Sequence, residues 1–169
     1  MIGYYVAYPP AAEEWAEKVN EAFAAAGLCN TQDAAHSGKE ALRLADFLLL
    51  VVTERAQAEL PDMRNAWEFF ENEIRWRRKP HGEILFIAPD ESVLVNLPLR
   101  LKKYGYYLMT EASDAAAYCK DAYQTAQESA AREKKETPPV KEIKYSPAAE
   151  SVPQIKFSVR APAIKSFDK

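Results

Sequence analysis

Residues 47–53 read FLLLVVT, an apolar run without a single polar interruption before its last position. A membrane-spanning helix needs about 20 such residues. A run this brief, rich in branched side chains, suits a strand buried on both faces. EILFIAP at 83–89 carries the same signature. Strands covered on both sides belong to parallel sheets, and parallel neighbours need a crossover between them, usually a helix.

The rest of the chain supplies those crossovers. MIGYYVAYP reads as a first strand, stopped by Pro9 and Pro10. Trp15, Val19, Ala22, Phe23 and Ala26 then fall on one helical face, with Gly27 where a C-terminal cap belongs. Residues 28–31 suit a brief second strand, and DAAHSG (33–38) a loop. Ser37 followed by Glu40 forms a capping-box pattern for the helix KEALRLAD. A further helix is expected from Pro61 or Asp62 to Pro80. One or two helical turns follow over 97–103, closed by Gly105, and YYLM (106–109) reads as a strand. Ser113 then caps an alanine-rich helix ending near Arg132. The expected fold is α/β, a flavodoxin-like open sheet of about five mostly parallel strands with helices on both faces.

Charge divides the chain in two. Residues 131–169 hold nine Lys/Arg against five Asp/Glu, so the formal charge of −3 leaves −7 on residues 1–130. An acidic body argues against nucleic-acid binding. Five of the eleven prolines fall after residue 136, which separates a domain at 1–132 from an extended or partly disordered basic tail at 133–169. Within that tail, Ile155, Phe157 and Val159 alternate with Lys156, Ser158 and Arg160, and residues 153–162 are expected to add as a strand to a sheet edge. Two cysteines, Cys29 and Cys119, and an opening without a leader pattern fit a cytoplasmic protein with no membrane segment. His36 and His81 stand in no metal-ligand spacing, and no metal is expected.

NAWEFFENEIRW (65–76) sets three glutamates among four large aromatic rings. At 100° per residue, Met63, Trp67, Phe70 and Ile74 define the buried stripe. Glu71 lies about 70° from its centre, Glu73 about 90° and Glu68 about 130°. Glu68 is therefore expected in solvent and Glu71 turned inward, where desolvation raises a carboxyl pKa and makes it a candidate acid, base or stabiliser of a cation. The structural alternative is a helix salt bridge from Glu71 to Arg75 or Arg78. Ligands of open parallel sheets gather beyond the carboxyl ends of the strands. Tyr8, Pro9, the DAAHSG loop and the helix bearing Glu71 are expected to converge there.

The order of these elements resembles the TIR (Toll/interleukin-1 receptor) domain family over about residues 1–125. The likeness rests on YYVAYPPAAEEWAEKVNEAFAAAG, the loop ending in Gly38, ADFLLLVVTERA, the Trp-x-x-x-Glu of Trp67 to Glu71, and GEILFIAPDESVLVNLPLRLKKYGYYLM. The resemblance implies cleavage of NAD at the nicotinamide–ribose bond, with Glu71 catalytic and NAD a substrate rather than a cofactor. Tyr8, Pro9, Asp33, Gly38 and Trp67 are then the residues expected around the dinucleotide. It equally implies a non-catalytic scaffold that associates with itself or with another protein. The chain departs from the family in its first loop, where Glu13 and Glu14 replace the usual aspartate, and at Asn65-Ala66 before Trp67. A third reading follows from Asp62-Met63-Arg64-Asn65-Ala66-Trp67-Glu68, which resembles nucleoside deoxyribosyltransferases and makes Glu68 the nucleophile.

Overall fold

The structure, a computed structural model, describes residues 1–32, 36–76, 78–79, 81–95 and 97–136, with side chains to residue 132. Five parallel strands, β1 (Gly3–Ala7), β2 (Cys29–Asn30), β3 (Phe47–Val51), β4 (Glu83–Ala88) and β5 (Gly105–Leu108), form one open sheet in the order β2-β1-β3-β4-β5. This is the flavodoxin-like α/β arrangement expected from the apolar runs. The alternating tail segment at 153–162 lies outside the described residues, as does Asp33.

β3 is the central strand, and all five of its residues are buried. Its pleat feeds two separate cores. Phe47, Leu49 and Val51 join Tyr4, Val6 and Ile87 beneath helices α1 (Glu13–Ala25) and α5 (Ala112–Glu136). Leu48 and Leu50 join Ile84 and Phe86 on the opposite face, beneath α2 (Gly38–Leu44) and α3 (Ala56–Arg75). Gly27 closes α1 at φ +82°, the left-handed geometry that favours glycine. The capping box opens α2 as read, with Ser37 N–H donating to Glu40 at 2.9 Å and Glu40 N–H to Ser37 Oγ at 3.4 Å.

Two helices differ from expectation. α3 starts at Ala56, and Pro61 lies inside it. Its first turn is tied to the end of β3 instead, because buried Glu59 accepts both the backbone N–H (2.9 Å) and the hydroxyl of Thr53. That clasp fixes the start of the helix upstream of the proline, five residues before the expected start at Pro61. A short helix, α4 (Glu91–Val95), was not expected. Asp90 begins it by accepting the Ser92 N–H at 2.8 Å. Residues 97–103 form hydrogen-bonded turns, among them Leu101 N–H to the Pro98 carbonyl at 2.8 Å.

The return from α3 to β4 is held by a buried lysine. Lys79 Nζ donates to the carbonyls of Arg43 (2.5 Å) and Ala45 at the end of α2. Its ammonium also lies 5.3 Å from the Phe70 ring centroid, and burial pulls its pKa down. Both carbonyls otherwise lack a helical donor. Lys79→Ala is expected to destabilise the fold by about 2 kcal/mol, read as a lower denaturant midpoint with an unchanged slope.

Candidate functional site

Parallel topology fixes which end of the sheet each residue occupies. A helix following a parallel strand runs back antiparallel to it, so α3 starts at the carboxyl end of β3 and finishes at the amino end. Glu71 lies 15 residues beyond Ala56, about 22 Å along the helix axis. β3 has five residues and spans only about 17 Å. Glu71 therefore lies level with the amino ends of the strands. Its partners agree, since Lys103 and Tyr104 immediately precede the first residue of β5.

The inward turn of Glu71 is as expected, for it is 7% exposed and stands one helical turn from buried Trp67. Its electrostatics are the reverse of the expectation. Burial alone pushes the carboxyl pKa up, but hydrogen bonds from Lys103 Nζ (2.6 Å), Tyr104 Oη (2.8 Å) and Arg100 Nη2 together outweigh it and hold the pKa at about 2. The carboxylate is anionic throughout the physiological range and its oxygens are engaged. Arg75 and Arg78, the helix partners considered from sequence, do not take part; Arg78 pairs with Glu73 at 2.9 Å.

The other expected residues do not join Glu71. Exposed Tyr8 and buried Pro9 follow the carboxyl end of β1, and Gly38 opens α2 at that same end. The expected convergence on one cleft is thus corrected for Tyr8, Pro9, Gly38 and Glu71, because α3 carries Glu71 past the sheet to the opposite rim; residues 33–35 lie outside the described residues. Trp67 lies between the two ends, on the cleft described next.

Glu68, expected in solvent, is half-buried at 33% side-chain exposure and pairs with two arginines, Arg64 Nε at 2.9 Å and Arg100 Nη1 at 3.8 Å. It lines a 580 Å³ cleft between α3 and the 97–101 turns. Leu60, Pro61, Pro98 and Leu101 supply apolar wall, and the Arg100 guanidinium lies 4.8 Å from the centroid of the Trp67 ring. The Trp67 indole N–H is buried and has no hydrogen-bond partner among the described residues. Sequence reasoning missed Arg64, Arg100, Lys103 and Tyr104. The available signal was LRLKKYG, three cations within four positions of an otherwise acidic body.

The Glu71 cluster predicts an acid-dependent stability. Because the folded pKa is depressed from 4.5 to about 2, the stabilisation is present above pH 4.5 and is lost as pH falls toward 2. Two of the three donors are about half-exposed, so the contribution is screened to on the order of 2 kcal/mol. Glu71→Gln is expected to lower stability by about that amount at pH 7 and to flatten the loss between pH 4.5 and 2. Urea unfolding of both proteins across that range measures it.

Among the described residues, no helix is long and apolar enough to cross a membrane. No family model matches the chain, and no curated protein matches it. Among solved structures, a de novo designed Rossmann 2x3 fold protein determined by solution NMR is similar at 12% identity. The match covers 69% of this chain and 86% of that one, with a TM-score of 0.38.

Proposed function

We propose that this chain is a TIR-like interaction module that works through protein contacts, and that it does not turn over NAD. The observation carrying this reading is the state of Glu71. A carboxylate that stabilises an oxocarbenium ion must face the reacting ribose across open space. Glu71 instead has Lys103, Tyr104 and Arg100 on its two oxygens and lies at the amino rim, away from Tyr8 and Pro9. Glu68 is no better placed to act as a nucleophile, because its Oε1 faces two guanidiniums that draw off its electron density.

Self-association is supported by the edge of the sheet. Among the described residues β5 pairs with β4 alone, which makes it an edge strand of the sheet. Tyr106 on β5 is exposed and lines a groove with exposed Val95, and Leu99 is exposed in the turns that lead into β5. An open strand beside uncovered apolar side chains suits addition of another chain.

Two measurements test the reading. Purified protein incubated with NAD is expected to release no nicotinamide, dilute or concentrated. Release that Glu71→Gln abolishes would overturn the proposal in favour of a TIR-like enzyme, and release that only Glu68→Gln abolishes would favour the transferase. Sedimentation velocity is expected to show concentration-dependent association, weakened about tenfold or more by Leu99→Asp with Tyr106→Glu.

A further inference from the structure

The cleft between α3 and the 97–101 turns plays no part in that reading, yet it has the composition of a small-molecule site. Its 580 Å³ falls within the range of ligand pockets, with mostly apolar walls and a few convergent polar groups. Gln57 and Glu68 line it together with two guanidiniums on separate elements, Arg64 on α3 and Arg100 in the turns between α4 and β5. Both reach one atom, Glu68 Oε1, at 2.9 and 3.8 Å. Their nearest nitrogens are therefore no further apart than those two lengths combined, a separation one small anion can bridge. Counting Arg64, Arg100 and Lys103 against Glu68 and Glu71, the cluster carries a formal charge of +1 within a body of net negative charge.

Arg100 is also held in place before any ligand arrives. Its Nη2 is fixed by Glu71 and its plane lies by the Trp67 ring, which leaves Nη1 facing Glu68 at the longer distance. A guanidinium already oriented loses little freedom on binding. The pairing through Glu68 is loose on the Arg100 side, at 3.8 Å against 2.9 Å from Arg64, and the Glu68 side chain is one-third exposed. The Trp67 indole N–H, buried in the cleft wall, is a donor without an acceptor among the described residues.

We propose that this cleft binds an organic carboxylate with a flat apolar body. The carboxylate replaces Glu68 between Arg64 and Arg100, and the body lies along Leu60, Pro61, Pro98 and Leu101. Guanidiniums favour carboxylates through paired N–H donors, and the apolar walls favour a hydrophobic ring over a bare ion. Glu68 is then a built-in competitor, an internal carboxylate occupying the anion position until a ligand displaces it.

The test titrates the 15N-labelled full chain with 1-naphthaleneacetate, its neutral amide and inorganic phosphate, following the Trp67 indole resonance assigned by its loss in Trp67→Phe. Saturable binding of the carboxylate with a Kd of roughly 1 mM or tighter is expected, with the amide and phosphate each at least about tenfold weaker. Arg64→Ala is expected to weaken the carboxylate about tenfold. Arg64 is 65% exposed and among the described residues pairs only along its own helix, so the variant should retain the wild-type melting temperature. Glu68→Gln should tighten binding several-fold, the opposite of what loss of a merely structural residue would do. The proposal is overturned by no saturable shift, by equal binding of the amide or phosphate, or by a Glu68→Gln protein that binds no more tightly than wild type.

Discussion

A strand buried on both faces cannot turn directly back to a parallel neighbour; the chain must first return across the sheet. β3 imposes that requirement at the centre of this molecule, with five buried residues split between two cores. Everything joined to it inherits a direction. α3 must descend from the carboxyl end to the amino end, so the depth of a residue along α3 sets the rim at which it stands. Glu59 in the first turn clasps Thr53 beside the carboxyl end, and Glu71, three turns later, meets the residues that lead into β5. Glu59 and Glu71, two of the three buried glutamates of this helix, thus serve opposite ends of the same sheet.

An inward carboxylate on a packed helix has two stable outcomes. It either becomes neutral as its pKa rises, or it gathers enough donors to remain charged. Glu71 takes the second course. Desolvation is the largest single influence on it, yet three donors acting together reverse the direction of the shift. Removing a donor from such a group leaves the buried carboxylate with less of its compensation, so the cost falls on the fold. This is also why an inward turn next to a tryptophan is weak grounds for catalysis. The same geometry arises wherever a helix must be fastened to a loop.

The parts of the fold legible in the sequence are those written in local pattern. FLLLVV and EILFIA state their burial outright, the step pattern from Trp15 to Ala26 gives α1, and Ser37 with Glu40 gives the start of α2. The inward angle of Glu71 followed from the positions of Met63, Trp67 and Phe70 on the same helix. What could not be read is what lies across sequence. The donors to Glu71 are 29, 32 and 33 residues away, and no helical wheel contains them. The start of α3 was obscured because Pro61 is a common first-turn residue, and its placement within the helix depends on a side-chain clasp to Thr53 that has no periodic signature. α4 escaped because five residues are too few to show a period, although Asp90 and Ser92 carried a legible cap.

The crossover between β4 and β5 explains why so much side-chain chemistry collects at Glu71. A full crossover helix satisfies its own backbone and presents a continuous apolar stripe to the sheet. Here the helix ends after Val95, and residues 97–103 proceed as turns. Such a segment cannot bury one continuous face. Leu97 and Leu101 enter the core, while Val95 and Leu99 are left outside. Without a helical ladder to stiffen it, the segment is fastened to α3 by side chains. Arg100, Lys103 and Tyr104 converge on Glu71, and Arg100 reaches Glu68 as well. The carboxylate of Glu71 therefore performs the anchoring that the missing turns of α4 would have provided. In doing so it holds the residues that lead into β5 and orients the guanidinium that overlooks the cleft.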